Sequence, residues 1–309
     1  MEVNARVAMT RRIAAKCLRA SLVVKLCAIS LSTLLLCCSS DALQPDSAAP
    51  RDSAARDSTP DVPADLAPSD LPRPDQRSPD LKSWPDLGPN RPYQNIEHLT
   101  DGALKTALYN LVTNHSSLGY DAAKGAIFTI AGGGIDVVGG VIECIYTGIT
   151  AAPDGTTAPG TFNTEHSWPK SEGADKEPAT SDLNHLFPSD SSANSYRGNL
   201  PYGDTSCVSA GSCSWSIGGS AIGPVVGGAD KVFMVRPSRR GDIARAHFYF
   251  SVRYQLSIPQ AEEKWLRIWN LTDAPDQREI DRAGAIEGVQ NKRNPFVDRP
   301  DFVEQIGDF

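Results

Sequence analysis

The segment from residue 39 to residue 92 sets the strongest limit on what this chain can fold into. Residues 41–92 hold eleven of the chain's 23 prolines and ten aspartates but no glutamate. The segments RPDQRSPDL and SWPDLGP within this range are loosely similar in sequence. Such a composition buries too little apolar surface to offset its chain entropy, and its prolines favour extended polyproline conformations. We therefore expect a disordered Pro/Asp-rich linker at 39–92, with any globular fold after it.

Residues 1–38 carry the features of an export signal. Basic residues precede a mostly apolar run, LCAISLSTLLLCC, that ends at Cys38. The run is shorter than the roughly 20 residues of a membrane-spanning helix and fits the core of a signal peptide. Because it ends in two cysteines, it resembles a bacterial lipoprotein signal with Cys37 or Cys38 lipidated. We expect an exported protein, secreted or held at the cell envelope by a lipid anchor in the membrane; an uncleaved anchor is the alternative.

Residues 93–309 remain for a single folded domain, and its charge limits its partners. The whole chain carries a net charge of −7 and its first 92 residues contribute +1, which leaves −8 for the domain. An acidic domain needs a local basic patch if it is to bind nucleic acid. Five arginines between Arg236 and Arg253 offer one, with an ordinary solvated face as the alternative interpretation.

Hydrophobic patterning predicts helices mixed with short strands. Helices are expected at 103–114, 190–197, 241–256, 264–270 and 276–290. Strands are expected at 141–146, 161–166 and 232–236, within an extended stretch at 126–148 and beside a loop at 149–161. Asp242 is the expected N-cap of the helix at 241–256. The mixture predicts the α+β fold class.

Three cysteines lie in the domain. In an exported protein, Cys207 and Cys213 have the spacing to close a short disulfide loop, which leaves Cys144 as a buried apolar thiol. A zinc site made of cysteines and a histidine is the alternative, although the usual ligand-pair spacing is missing.

Residues 165–203 concentrate the groups that can perform chemistry. They read EHSWPKSEGADKEPATSDLNHLFPSDSSANSYRGNLPYG, with two histidines, several carboxylates, three asparagines and an arginine. Carboxylate and amide oxygens suit a hard divalent cation, histidine suits a general base, and arginine suits phosphate. Together they suffice for metal-assisted phosphodiester hydrolysis. The chain has no H-E-x-x-H, G-x-S-x-G or P-loop motif, so zinc proteases, serine hydrolases and P-loop proteins lack support.

Four sequence blocks resemble the bacterial endonuclease I family. They are FNTEHSWP, SDLNHLFPSDSSANSYRGNLPYG, GDIARAHFYFSVRY and NKRNPFVDRPDFVEQI, which occur in the family's order between about residue 96 and residue 309. Members of this family are exported, non-specific nucleases of the ββα-metal (His-Me finger) class. The resemblance implies such a core embedded in a mostly helical single domain at 93–309.

The resemblance also implies a role for each matching residue. His166 would be the general base, and Glu165 with Asn194 would hold one Mg²⁺, or Ca²⁺ or Mn²⁺ in its place. A strand hairpin would present the first two and the following helix the third. The substrate would be DNA, with RNA as a second substrate, cut to 5′-phosphate products, and no protein partner is implied. His185 matches a family position and either orients the site or packs against it.

The chain departs from the family at the arginine that contacts phosphate. Family members carry it between the histidine and the asparagine, whereas only Lys170 and Lys176 lie between His166 and Asn194 here. Arg197 is the substitute candidate because a guanidinium can grip phosphate with two hydrogen bonds. A structural salt bridge is the alternative for Arg197.

Simpler interpretations stay open beside these roles. Glu165 and His166 would otherwise form a solvated pair at a strand end, and Asn194 would cap a helix. Trp168 is expected in the core, where it fixes the hairpin. A catalytically inactive, surface-displayed nucleic-acid-binding lipoprotein of the same fold is the alternative function, and a phosphodiesterase of small substrates is a third.

Overall fold

A computed structural model describes residues 92–129, 133–153, 160–207 and 211–309. The predicted signal peptide and all but the last residue of the predicted linker lie outside the described residues, so both stay predictions. The helices are α1 (Asp101–Val112), α2 (Tyr120–Phe128), α3 (Ser191–Arg197), α4 (Arg240–Tyr254), α5 (Gln260–Thr272), α6 (Gln277–Gln290) and α7 (Pro295–Asp298). No helix in these ranges has the length and apolar character needed to cross a membrane.

Eight short strands form three small antiparallel sheets in the described ranges. They are β1 (Val137–Val138), β2 (Val141–Glu143), β3 (Thr150–Ala151), β4 (Phe162–His166), β5 (Leu186–Asp190), β6 (Trp215–Ile217), β7 (Ser220–Pro224) and β8 (Lys231–Met234). The sheets are β1-β2-β3, the pair β4-β5, and β6-β7-β8. Helices and separate antiparallel sheets together confirm the α+β class.

Helix α4 lies at the centre of the core. It packs against α5, α1, α7 and the short 3-10 turn Leu183–His185. Its residues from Gly241 to Arg253 are all buried, so the apolar stripe predicted for it is only part of a helix surrounded on every side. The close approach to the end of α5 needs a glycine, because a Cβ on Gly241 would lie 2.0 Å from the carbonyl oxygen of Asp273.

Most predicted helices are confirmed, with shifted ends. The first covers Asp101–Val112 and buries Leu104, Leu108 and Val112 at four-residue spacing. Helix α3 begins where expected, because the Asp190 carboxylate accepts hydrogen bonds from the first-turn amides of Ser192 and Ala193.

The N-cap predicted for α4 is wrong. Asp242 lies inside the first turn, while Arg239 holds the cap position without a side-chain cap. The Asp242 carboxylate is instead 3.4 Å from a guanidinium nitrogen of Arg239. The charge pair therefore takes the aspartate away from the amides that it was expected to cap.

The stretch predicted as extended at 126–148 is partly wrong. Helix α2 runs through Phe128, and β2 ends at Glu143. The chain then turns, because the amide of Gly148 bonds the carbonyl of Cys144 at 3.0 Å and the Cys144 amide bonds the carbonyl of Ile149 at 2.8 Å. The turn returns β3 alongside β2, so the predicted loop at 149–161 begins with a short strand.

The cysteine predictions agree with the structure. Cys207 and Cys213 form a disulfide, and Cys144 is a free, fully buried thiol. Two of the three cysteines in the domain are therefore bonded to each other and cannot bind zinc, which removes the support for the zinc alternative.

Candidate active site

The strand pair β4-β5 and helix α3 bring the main candidate residues into one region. In the antiparallel register, Glu165 lies opposite Phe187 and His166 lies opposite Leu186. Helix α3 begins directly after β5 and returns Asn194 to β4. The short connection thus converts a separation of 28 residues in sequence into contact between neighbouring elements.

The imidazole of His166 is buried and neutral. Its Nε2 is 3.1 Å from the carbonyl oxygen of Thr180, and since a carbonyl only accepts, Nε2 carries the proton. Burial lowers the pKa of the His166 imidazole to about 2, and the charge of Lys170 acts in the same direction. Nδ1 therefore keeps its lone pair, and it makes no hydrogen bond within the described residues. A ring in this tautomer can accept a proton from water.

Glu165 uses one carboxylate oxygen for internal contacts. Oε1 accepts a hydrogen bond from the Tyr146 hydroxyl at 2.7 Å and another from Arg197 Nη1 at 3.1 Å. Burial raises the pKa of this carboxyl, while Arg197 and Tyr146 oppose that shift. The second oxygen, Oε2, has no hydrogen-bond partner among the residues that the structure describes.

Asn194 is oriented by its amide nitrogen. Nδ2 donates to Oδ1 of Asn163 at 2.9 Å and to the carbonyl of Thr164 at 3.3 Å. With the nitrogen turned toward these two acceptors, Oδ1 is left on the other side of the amide. The helix-cap alternative for Asn194 is wrong, because Asp190 caps α3 and Asn194 lies in its interior.

The oxygens of Glu165 and Asn194 are of the chemical type that hard divalent cations bind. Mg²⁺ is held in many proteins by one or two side-chain oxygens and completes its shell with water and substrate phosphate. No group of three or more His, Cys, Asp and Glu side chains arranged to hold a metal occurs in the described ranges.

Arg197 is buried among internal acceptors. Besides Glu165, its guanidinium donates to the carbonyl of His166 at 3.3 Å and to that of Ser167 at 2.7 Å. Its central carbon also lies 4.5 Å from the centre of the Tyr202 ring. These contacts favour the salt-bridge alternative over a grip on phosphate.

His185 lies behind His166. It is fully buried, donates from Nε2 to the carbonyl of Ala179 at 2.7 Å, and packs its ring 4.5 Å from that of Phe250 on α4. Burial lowers the pKa of its imidazole to about 3. The rings of His185 and His166 are 5.3 Å apart, so His185 packs against the candidate base.

Two tyrosines near Glu165 cannot be recognised as site residues from the sequence alone. The Tyr146 hydroxyl gives its proton to Glu165, so the Tyr202 hydroxyl, 2.6 Å away, must donate to Tyr146. Tyr146 lies in an apolar segment, where its side chain looked like any core residue. No spacing rule connects position 146 to position 165, and the contact exists only after the sheets have packed.

The proposed arginine patch between Arg236 and Arg253 is not a free cationic surface. Four of its members pair with carboxylates and the fifth with a histidine: Arg236 with Glu143, Arg239 with Asp242, Arg240 with Asp204, Arg245 with Glu279, and Arg253 with His115. Arg245 is completely buried. These arginines hold elements together, so the interpretation as a nucleic-acid rim is wrong.

Comparison with known proteins identifies the family. The sequence model of the endonuclease I family matches residues 100–301. An extracellular ribonuclease of Bacillus subtilis (strain 168) is 28% identical over 237 residues, which covers 69% of this chain and 77% of that protein. An extracellular deoxyribonuclease of Aeromonas hydrophila is 28% identical over 122 residues, covering 38% of this chain and 49% of that protein. An extracellular endonuclease of Pseudomonas fluorescens biotype A is 36% identical over 87 residues, covering 28% and 38%. The chain belongs to the endonuclease I family and is therefore an enzyme that hydrolyses nucleic acids.

Proposed function

We propose that this protein is an exported, divalent-metal-dependent endonuclease that cuts nucleic acid without sequence preference. The tautomer of His166 is the observation that carries the proposal. The Nε2–H group of His166 is committed to the Thr180 carbonyl, and Nδ1 is the unprotonated nitrogen of a neutral ring. A buried neutral histidine in this position needs no prior deprotonation to act as a base at neutral pH.

His166 would remove the proton from the attacking water. Proton transfer to Nδ1 places positive charge on the ring, and the hydrogen bond to the Thr180 carbonyl stabilises that charge and fixes the plane of the ring. Oε2 of Glu165 and Oδ1 of Asn194 would hold Mg²⁺, or Ca²⁺ or Mn²⁺. The bound cation would supply stabilisation of the charge that develops on the phosphate and the departing 3′-oxygen. Departure of the 3′-oxygen leaves a 5′-phosphate on the product.

Arg197 and Tyr146 would position Glu165. Together they occupy Oε1 and leave Oε2 for the cation. Arg197 also bonds the two carbonyls that follow Glu165, which fixes the backbone that carries His166. On this assignment the strand pair β4-β5 with α3 forms the ββα-metal core.

DNA and RNA are both proposed as substrates. A deoxyribonuclease and a ribonuclease stand among the relatives, and their names describe them as extracellular. Attachment through a lipid at Cys37 or Cys38 stays a sequence prediction.

Plasmid cleavage by the purified protein is the direct test. Supercoiled plasmid should be nicked with Mg²⁺ and left intact with EDTA, and absence of nicking or nicking insensitive to EDTA would overturn the proposal.

His166→Ala should lower the rate by about 10²–10⁴-fold, the usual contribution of a general base. The His166→Ala chain should still be stabilised against heat by Mg²⁺. Asn194→Ala should lose both the cleavage activity and the stabilisation by Mg²⁺. Wild-type rates in His166→Ala would refute the base, and tight binding of uncut DNA by the wild type would favour the inactive alternative.

A further inference from the structure

Lys170, near His166 in the fold, carries a charge that the described residues do not pair with a carboxylate. Lys170 is exposed and, within the described residues, pairs with no carboxylate. Arg197 is committed to internal acceptors, and the arginines from 236 to 253 are paired. A phosphodiester strand carries one negative charge per nucleotide, so a site that cuts it gains from an available positive charge near the base.

The Tyr120 ring connects this lysine to the candidate base. Nζ of Lys170 lies 4.4 Å from the centre of the Tyr120 ring, and that ring lies 5.3 Å from the His166 ring. An ammonium over an aromatic face is attracted by the ring quadrupole, which limits where the flexible side chain rests. The lysine charge acts on the pKa of both His166 and His185, in agreement with this proximity.

The backbone of Lys170 is anchored to the core. Trp168 is buried, stacks 4.9 Å from Phe250, and donates from its indole nitrogen to the carbonyl of Glu172 at 2.9 Å. That bond ties the last residue of the 3-10 turn Lys170–Glu172 to the buried Trp168. Gly173 ends the turn at φ 117°, where a side chain would be strained and would meet Leu256. The start of the lysine side chain is thus fixed relative to the strand that carries His166.

Lys124 on α2 provides an internal comparison. Its Nζ lies 4.9 Å from the centre of the same Tyr120 ring. It also pairs with the Asp121 carboxylate at 2.7 Å. Two lysines therefore flank one tyrosine, and only Lys170 keeps its charge free of a carboxylate in the described part of the chain.

We propose that Lys170 binds a phosphate of the substrate strand at or next to the bond that is cut, and that Tyr120 is the residue that positions it. The assignment rests on the proposed function and supplies its missing phosphate contact. An ammonium acts as a point charge without the directional fork of a guanidinium. Such a contact accepts phosphates in differing orientations, which suits a site that takes both DNA and RNA backbones.

The test compares Lys170→Ala with Lys170→Arg and with Lys176→Ala, a change at another exposed lysine of the same segment. In the otherwise wild-type full chain, Lys170→Ala should lower kcat/KM by about 10–100-fold, at or below the effect of one stabilising donor in other enzymes. Lys170→Arg should recover most of the loss, and Lys176→Ala should match the wild type. Tyr120→Leu should show a smaller loss than Lys170→Ala, since it frees the lysine without removing its charge.

Binding separates this proposal from the proposed function. In the His166→Ala chain, which should cleave far more slowly, the affinity for a fluorescent oligonucleotide is measured by anisotropy in Mg²⁺ over a range of salt concentrations. Removal of one phosphate contact should reduce the slope of log affinity against log salt by about 0.7–0.9. A merely structural role would lower thermal stability and leave this slope unchanged. Identical slopes for the Lys170→Ala and Lys176→Ala chains would overturn the proposal, even where the wild type cleaves DNA.

Discussion

Replacement of Arg197 by methionine asks whether this side chain holds Glu165 in place. Both side chains are almost fully enclosed, at 2% and 3% exposure, and their closest atoms are 3.1 Å apart. Methionine fills much of the same volume without charge. The variant leaves Glu165 as a buried carboxylate with only the Tyr146 hydroxyl on Oε1, and it leaves the carbonyls of His166 and Ser167 without their donor.

The expected cost follows from the burial of the pair. Removing one partner of a buried ion pair lowers the free energy of unfolding by about 3–5 kcal/mol, because the other charge stays in the interior. Glu165→Gln alone should cost about 1–3 kcal/mol, since Arg197 keeps its two carbonyl acceptors and the Tyr202 ring. The double variant contains no unpaired buried charge. The sum of the two single losses in unfolding free energy should therefore exceed the loss in the double variant by about 0.5–3 kcal/mol.

The loss in Arg197→Met should also depend on pH. Burial already raises the pKa of Glu165, and removal of the opposing guanidinium raises it further. The folded variant then binds the proton more tightly than the unfolded chain, whose glutamate has a pKa of about 4.3. The destabilisation relative to wild type should therefore be smallest near pH 4 and should grow as the pH rises through the folded-state pKa.

Urea unfolding followed by tryptophan fluorescence at pH 4.5 and pH 7.5 measures both effects. The same four proteins, wild type, two single variants and the double variant, complete the cycle. An Arg197→Met chain within about 1 kcal/mol of the wild type at pH 7.5 would refute the reasoning, given the usual cost of a stranded charge. Simple additivity of the two substitutions would refute it as well. If Arg197→Met does not fold, folding of the double variant supports the same conclusion.

Two further predictions concern stability. The unfolded chain protonates His185 near pH 6.5 but the folded protein only near pH 3, so stability should fall as the pH drops between these values, by up to about 1.4 kcal/mol per pH unit for this group. His185→Phe should therefore lose stability less steeply than the wild type from pH 6 to pH 4 in urea titrations, and parallel slopes would contradict the buried neutral state. Replacement of Cys207 and Cys213 together by serine should lower the free energy of unfolding by about 2 kcal/mol, because a short loop is no longer closed in the unfolded chain. An unchanged urea midpoint would show that the disulfide contributes nothing.

Local signals in the sequence predicted the elements that depend on nearby residues. Asp190 precedes a polar helix and caps it, and Asp276 does the same for α6. The strand before Pro169 was expected at 161–166 and is found at Phe162–His166. These features follow from capping, periodicity and proline, each of which acts within a few residues.

Contacts between distant elements were not predictable in this way. The segment containing Tyr120 shows no strong periodicity, yet it forms α2 and reaches His166. Arginines in one stretch resembled a surface patch, although their carboxylate partners lie as far away as Glu143 and Glu279. A sequence pattern gives the charge of a side chain, whereas its partner is decided by how the elements pack.

The central position of α4 has a consequence for when this enzyme can become active. Phe250 on α4 packs against both Trp168 and His185, and α4 itself packs against α5 and α7, which come later in the chain. A chain that is still unfolded has no bond to fix the His166 tautomer and no arginine against Glu165. Under the proposed function, hydrolysis would begin only after the last elements have docked. An exported chain kept unfolded until it leaves the cell would then spare the nucleic acids of its producer through its folding order alone.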